Sequence, residues 1–245
     1  MTRVFAVLLT LLLVSGCGSS RPFEIENLAK SDMDMITDIH IEQIRSLSKN
    51  LIVKLYRRNP RELNKAPGMT IEKRLEQLMT AERPNAGFEE LNFHDGVAAL
   101  PMAFDANYQG DRVFALMAGI TGMLSNAYNN QTEFYLLDEL DQQKLYNSAR
   151  NLESISWLLN NRKKEDGSLF LLSNGIADNG VPNYSYERVL SQMIIIQDMM
   201  AAMISDSTNR NINKVVHSVA SMTFLPYDRN APKLPPQCAQ VNTLD

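Results

Sequence analysis

Apolar residues recur along this chain at steps of three and four, and this spacing restricts the fold more than any other feature. The first such stripe runs through Ile36, Ile39, Ile44, Leu47, Leu51 and Leu55. Residues three and four apart share one face of a helix, so the pattern predicts a long amphipathic helix. Ser31 followed by acidic residues is typical of its start, and Asn59-Pro60 is typical of its end.

The same reasoning predicts further helices along the chain. They are expected at 70–79, near 96–101, at 113–124, at 145–159, at 186–204 and at 212–222. Thr70 is the expected cap of the first of these, and Pro101 is expected to limit or kink the second. Thr132-Glu133 is the expected cap of the segment that leads into the helix at 145–159, and this segment is either one long helix or two. The helices at 186–204 and 212–222 are either separate or continuous.

The segment 168–183 is predicted to be a small β-hairpin or an ordered loop. It contains Asn174-Gly175 and Asn179-Gly180, and Asn-Gly is the strongest short-range signal for a hairpin turn. We therefore predict one mainly α, bundle-like domain of about six to eight helices over residues 31–225. The proline-rich residues 226–245 are expected to be disordered.

The first sixteen residues have the composition of an export signal. Met1-Thr2-Arg3 is a short basic start, 4–14 is apolar and uncharged, and Ser15-Gly16 precedes Cys17. A basic start, a short apolar core and small residues before a cleavage site are typical of such signals. The apolar run is too short for a stable membrane span, which needs ~20 residues.

Val14-Ser15-Gly16-Cys17 resembles a bacterial lipobox. The resemblance implies cleavage after Gly16, diacylglycerol on the Cys17 sulfur, and a third acyl chain, such as palmitate, on the new amino group. Several acyl chains anchor a protein firmly, whereas one chain is marginal. The alternative is an ordinary signal peptide with a cysteine at this position by chance.

The resemblance also bears on location. Gly18 follows the cysteine where inner-membrane lipoproteins often carry aspartate, which implies the outer membrane, with the domain facing the periplasm. Residues 17–30 then form a lipidated N-terminus and linker that reaches on the order of 20 Å. The expected partners are the membrane itself and an envelope protein or lipid.

Composition excludes several classes of protein. The formal net charge of −4 argues against a nucleic-acid partner, which would require a basic surface. A chain that is 44% hydrophobic and 21% charged is typical of globular domains. Once Cys17 is lipidated, Cys238 cannot form an intrachain disulfide, so it is either an inert thiol or pairs between chains.

No catalytic, metal or cofactor motif stands out. The three histidines, His40, His94 and His217, occur in neither HExxH nor Glu-x-x-His patterns. Glu90 and His94 are four residues apart, which fits either a surface pair or a small reactive site. Serine-nucleophile, Walker and Rossmann patterns are absent from the sequence. We predict no catalytic residue, no metal, no cofactor and no enzymatic activity.

Charged clusters have simple interpretations at helix ends. The acidic clusters are Asp32, Asp34 and Asp38, and Asp138, Glu139 and Asp141; the basic ones are Lys54, Arg57, Arg58 and Arg61, and Arg162, Lys163 and Lys164. Acids suit helix starts and bases suit helix ends. The alternatives are a pair of hydrolytic carboxylates and contact with anionic lipid.

Small residues and methionines suggest one further kind of site. Small side chains on one face of the helix at 113–124 allow another helix to approach closely, and methionine-rich helices can line adaptable cavities. The candidate cavity residues are Gly119, Gly122, Met193, Met200 and Met203. Simple core packing is the alternative for the methionines.

These observations predict a lipid-anchored, non-catalytic helical module of the bacterial cell envelope that binds or scaffolds another envelope component. The first alternative is a carrier of lipid or of a small apolar ligand in a cavity between helices. The second alternative is an envelope hydrolase that uses carboxylates.

Overall fold

The protein is described by a computed structural model that covers residues 30–80, 87–176, 180–214 and 223–226. The predictions for the signal 1–16, Cys17, its linker up to residue 29, His217, Cys238 and the tail beyond residue 226 lie outside the described residues. Most of the helix predicted at 212–222 also lies outside them.

The described residues form a mainly helical domain with one small hairpin, which confirms the predicted fold class. The helices are α1 (Asp32–Arg58), α2 (Pro60–Leu63), α3 (Ile71–Met79), α4 (Arg112–Ala127), α5 (Gln142–Asn161) and α6 (Ser185–Thr208). Short 3₁₀ helices span Glu89–Leu91, Gly96–Ala98 and Leu100–Phe104. Strands β1 (Gly175–Ile176) and β2 (Pro182–Asn183) pair antiparallel, with Gly175 opposite Asn183.

Helix α1 begins where its sequence predicts. The Ser31 hydroxyl accepts a hydrogen bond from the Asp34 backbone N–H, and the Asp34 carboxylate accepts one from the Ser31 backbone N–H. This reciprocal pair is a capping box, which satisfies two backbone donors at the helix start. Arg57 and Arg58 lie in the last turn, where they complement the helix dipole.

Helix α4 is the central element of the core. Nearly all of its residues from Arg112 to Leu124 are buried, as expected for a helix that is apolar on most sides. It packs against α1, α3, α5 and two of the 3₁₀ helices. The Asp111 carboxylate caps it by accepting a hydrogen bond from the Phe114 backbone N–H.

Helix α6 packs along α5 and α1. By length and composition alone it could cross a membrane, and it is the one helix of the described part of which this holds. Its fully buried residues include Met193, Gln197 and Met200, and its Asp198 pairs with Arg150 on α5 at 2.6 Å. These contacts are typical of a core helix in a packed domain.

Two buried asparagines attach extended segments to the helices. The Asn59 side chain donates to the Leu172 carbonyl at 2.8 Å and accepts from the Leu172 N–H at 2.7 Å. The Asn151 side chain binds the Leu225 carbonyl and N–H in the same way, at 2.9 Å and 2.7 Å. Each amide replaces a missing strand neighbour, because it satisfies a buried backbone donor and acceptor together.

Several predicted element boundaries were wrong. Thr132 caps no helix, because α5 begins only at Gln142 with Asp141 as its cap. Pro101 starts a 3₁₀ helix at its first turn rather than limiting one. The continuity of the last two helices had been left open, and α6 extends through residue 205 to Thr208 and ends there, where Asn209 adopts a left-handed conformation.

Candidate functional site

A buried ionic cluster lies where α1, α3 and α4 meet. Arg74 on α3 is fully buried and forms a bidentate ion pair with Glu90, with nitrogen–oxygen distances of 2.8 Å and 2.7 Å. Its guanidinium also lies 3.4 Å from the Asp111 carboxylate, which accepts a hydrogen bond of 2.8 Å from the Tyr56 hydroxyl. The cluster therefore connects three helices through charged and polar groups.

Burial controls the titration of this cluster. Burial raises the pKa of the Asp111 carboxyl, although hydrogen bonds from Phe114 and Tyr56 and the Arg74 charge oppose the shift. Burial also raises the pKa of Tyr56 well above its ordinary range. Arg74 is penalised by burial as well, but its contacts with Glu90 raise its pKa overall, so it stays charged.

A second set of ionic contacts continues from this cluster towards the surface. Glu62 on α2 is buried and accepts hydrogen bonds from Lys65 at 2.7 Å and from the Arg112 backbone N–H at 3.0 Å. The Arg112 guanidinium donates to the carbonyls of Asp105 and Tyr108, both at 2.6 Å. The Glu62 carboxylate and the Arg112 guanidinium thus each have hydrogen-bond partners within the domain.

An open groove of about 670 Å³, here called the polar groove, lies over these contacts. Its lining residues are Arg61, Glu62, Lys65, Ala106, Asn107, Tyr108, Gln109, Arg112, Lys164, Glu165 and Asp166. Burial raises the pKa of Tyr108 to about 12, so its hydroxyl remains protonated as a hydrogen-bond donor. The groove offers charges of both signs, amides and one aromatic ring, which suits a polar partner such as a glycan or a peptide.

A much smaller cavity lies between α1, α3 and α4 on another face. Its volume is about 60 Å³, and its lining includes Ile41, Ile44, Leu78 and Leu124. Pockets for small molecules usually measure ~300–1,000 Å³. The cavity has room for a few waters or one short side chain and is too small for a lipid.

The structure separates the five predicted cavity residues. Gly119 faces Leu100, since a Cβ built on it would meet the Leu100 side chain at 2.4 Å. Met193 and Met200 are fully buried in two different hydrophobic clusters, and Met203 is half-buried. Gly122 is buried within α4. None of the five lines the small cavity or the polar groove. The element that approaches Gly119 closely is the 3₁₀ helix that contains Leu100, not another α-helix.

The histidines and Glu90 have separate surroundings. Glu90 is held by Arg74, and the His94 ring nitrogen Nδ1 contacts the Leu91 carbonyl at 2.9 Å. His40 is half-buried, and burial lowers its pKa. In the described ranges, no group of three or more histidine, cysteine or acidic side chains is arranged to hold a metal ion.

The acidic clusters mostly serve local structure. Asp34 completes the capping box of α1, and Asp141 is the cap of α5. Asp38 pairs with Lys30 at 2.5 Å and accepts the Phe134 backbone N–H at 2.8 Å. Of the basic residues, Arg61 and Lys164 meet at the polar groove, and Lys54 bonds to Ser185 on α6 at 2.7 Å.

Sequence reasoning missed Arg74, which occupies the centre of the ionic cluster. In the sequence it follows Lys73 on a short amphipathic helix, where a solvated charge is the ordinary expectation. The available signal was Asp111, a helix-capping acid directly before the apolar segment 113–124. A charge at the edge of such a segment needs a buried partner.

Comparison of the chain with protein-family models, with curated proteins and with solved structures gives no match.

Proposed function

We propose that this protein is a lipid-anchored, non-catalytic helical module of the bacterial cell envelope that binds or scaffolds another envelope component. Val14-Ser15-Gly16-Cys17, directly after an uncharged apolar run, carries the proposal. Such a sequence resembles the site at which bacterial lipoproteins are cleaved and acylated. Gly18 in the next position favours the outer membrane, with the domain in the periplasm.

The chemistry of the described core supports a binding role over catalysis. Its buried carboxylates, Glu62 and Asp111, are each held by hydrogen-bond donors within the domain. A general acid or base must instead reach a substrate atom within hydrogen-bond distance. Catalysis by these groups would require the ionic contacts between the helices to break.

The polar groove is the surface that we assign to the partner. Arg61 and Glu62 lie on α2, directly after the C-terminal end of α1, while the N-terminal tether enters at the opposite end of α1. A helix of 27 residues is ~40 Å long at 1.5 Å per residue. The groove is thus far from the anchored end and faces a partner that extends away from the membrane.

Site-specific photocrosslinking in living cells tests this assignment. A photoreactive residue replaces Gln109, which is exposed in the groove, and a matched control replaces Gln192, which is exposed on α6. We expect a discrete crosslinked product at position 109 and none at position 192. We also expect the product to disappear in the Cys17→Ser chain, because that chain would lack the acyl anchor. Equal products at both positions, or none at either, would contradict the assignment.

Native mass spectrometry of the full chain distinguishes the proposed binding module from the alternative of a lipid or small-ligand carrier. Binding of a polar partner in the groove predicts that no apolar ligand co-purifies with the chain. A reproducible lipid adduct beyond the covalent acyl chains would replace the scaffold function with that of a carrier.

A further inference from the structure

Residues 135–138 form a tight turn with two exposed leucines at its tip, here called the apolar turn. The Asp138 N–H donates to the Tyr135 carbonyl at 2.7 Å, and the Asp138 carboxylate accepts the Tyr135 N–H at 2.9 Å. Leu136 is 65% exposed and Leu137 is 96% exposed. The turn is closed by its own hydrogen bonds, so its two leucines point away from the core.

The apolar turn is fixed firmly to the domain. Phe134, the residue before it, is buried beside Tyr128, Leu140 and Met200, and its N–H is bound by the Asp38 carboxylate on α1 at 2.8 Å. Gln131 donates to Asp138 from the other side at 2.9 Å. A turn that is already ordered loses little conformational entropy when it binds a partner.

The tether reaches the domain at this same place. The Lys30 ammonium lies 3.8 Å from the Glu133 carboxylate and 4.8 Å from the centre of the Tyr135 ring. Cys17 lies only 13 positions earlier in the sequence, a length that spans on the order of 20 Å when flexible. An acylated Cys17 would therefore keep the apolar turn close to the bilayer surface.

We propose that Leu136 and Leu137 insert into the bilayer in which Cys17 is anchored, so that the domain has two points of attachment; this inference rests on the proposed lipid anchor. Two leucines on a rigid turn supply apolar surface that gains from leaving water. The turn is flanked by Glu133, Asp138 and Glu139. Glu133 and Glu139 are paired with Lys30 and Arg210, at 3.8 Å and 3.2 Å, and Asp138 is a further acid beside the leucines. These side chains give the turn no surplus of basic charge of the kind that attracts anionic lipid, so the surface that fits is a zwitterionic phospholipid layer.

The experiment uses the full acylated chain, reconstituted into vesicles of phosphatidylcholine and phosphatidylethanolamine. Trp157, the single tryptophan of the chain, is changed to Phe. A reporter is then introduced as Leu137→Trp. The matched control is Ile176→Trp, which is 73% exposed in the hairpin beside Arg58 at the other end of α1. Asp38 and Arg58 are 20 residues apart on this helix, which places the two reporters roughly 30 Å apart.

We expect brominated phospholipid to quench the emission of the Leu137→Trp reporter and to leave the Ile176→Trp reporter unchanged. The quenching should persist in high salt, because the contact is apolar. If the chain floats with the vesicles but position 137 is unquenched, or if both positions are quenched equally, insertion of the turn is wrong while the anchor stands. A Leu137→Trp emission that is shifted to the blue without quenching would indicate contact with a second copy of the chain and would also overturn insertion. A chain that does not float with the vesicles overturns the anchor and this inference together.

Discussion

Arg74 is the residue at which burial and charge conflict most strongly. A fully buried guanidinium is tolerated only because Glu90, Asp111 and the Phe114 ring surround it, with the ring centre 4.0 Å from the guanidinium carbon. Such clusters add less to stability than their contacts suggest, because desolvation offsets the attraction. Removing one partner is costly, since the remaining charge stays buried.

Arg74→Met is therefore expected to lower the free energy of unfolding by about 3–5 kcal/mol, the usual cost of breaking a buried ion pair. Urea unfolding measures the change. Arg162→Met, at an exposed position, is the matched control and should stay within about 0.5 kcal/mol of the parent. Adding Asp111→Asn to Arg74→Met should cost less than the sum of the two single changes. Strict additivity would show that the two groups do not interact.

Gly119 is constrained by Leu100 rather than by backbone conformation. Its missing Cβ leaves space that the Leu100 side chain fills, and the Gly96 carbonyl lies 3.1 Å from the same point. We expect Gly119→Ala to destabilise the domain by about 1–3 kcal/mol through overpacking, although alanine favours helices by about 1 kcal/mol. Thermal or urea unfolding provides the measurement. In a Leu100→Ala background the penalty should become smaller, because only the contact with the Gly96 carbonyl remains, and a penalty of equal size there would contradict the packing argument.

His40 provides a pH dependence whose sign follows from burial. Its Nδ1 atom is buried without a hydrogen-bond partner among the described residues, and burial lowers its pKa below the ordinary value of 6.5. The unfolded chain then takes up a proton before the folded one, so stability falls as the pH drops below 6.5. Between about pH 7.5 and about pH 5.5, which brackets the ordinary histidine pKa, the parent should lose more unfolding free energy than His40→Gln. Equal losses would mean that His40 does not contribute.

At the scale of elements, two asparagines of α5 hold a segment that belongs to no helix or strand. Asn151 on α5 is fully buried and binds both backbone groups of Leu225, while Asn147 on the same helix donates to the Pro226 carbonyl at 2.6 Å. These contacts hold residues 223–226 against α5. Apolar packing plays a part as well, since Phe224 joins the main hydrophobic cluster.

Asn151→Leu is expected to release this segment without unfolding the helices. The substitution leaves the Leu225 N–H and carbonyl unsatisfied, at a cost of about 1–3 kcal/mol for each buried group. Hydrogen exchange should show faster exchange of the Leu225 amide, with protection of α4 unchanged. Asn160→Leu, at an exposed position on the same helix, should leave the Leu225 amide protected. Loss of protection throughout α4 would instead indicate that Asn151 supports the whole core.

The helices were predictable because their signals are local. The capping box at Ser31, the cap at Thr70 and the apolar run at 113–124 each lie within a few residues of the element that they define. Residues 132–141 misled the prediction because Thr132-Glu133 has the composition of a cap, whereas the chain forms the apolar turn and begins α5 only at Gln142.

At the scale of the whole molecule, the candidate site was much less predictable than the fold. The ionic cluster joins Tyr56, Arg74 and Asp111, which are far apart in sequence, and nothing local marks Arg74 as buried. The five residues predicted to line a cavity share helical faces. Apolar periodicity predicts which face of a helix is buried, but it does not predict which element packs against that face. In the structure Gly119 meets a 3₁₀ helix, and the two buried methionines belong to separate clusters.

The two ends of α1 carry surfaces of different chemistry. The apolar turn lies beside the start of this helix, where the tether enters, and the polar groove lies beyond its end. In our account the first end contacts the bilayer and the second end meets a polar partner. Both assignments depend on the proposed acylation of Cys17, which would bring the domain to the membrane.

Metabolic labelling with radioactive palmitate, followed by the intact mass of the mature chain, tests this claim most directly. We predict a labelled product that begins at Cys17 and carries three acyl chains, and an unlabelled, uncleaved precursor for Cys17→Ser. An unlabelled mature chain, or a Cys17→Ser chain that is processed and retained in the membrane like the parent, would contradict the lipid anchor.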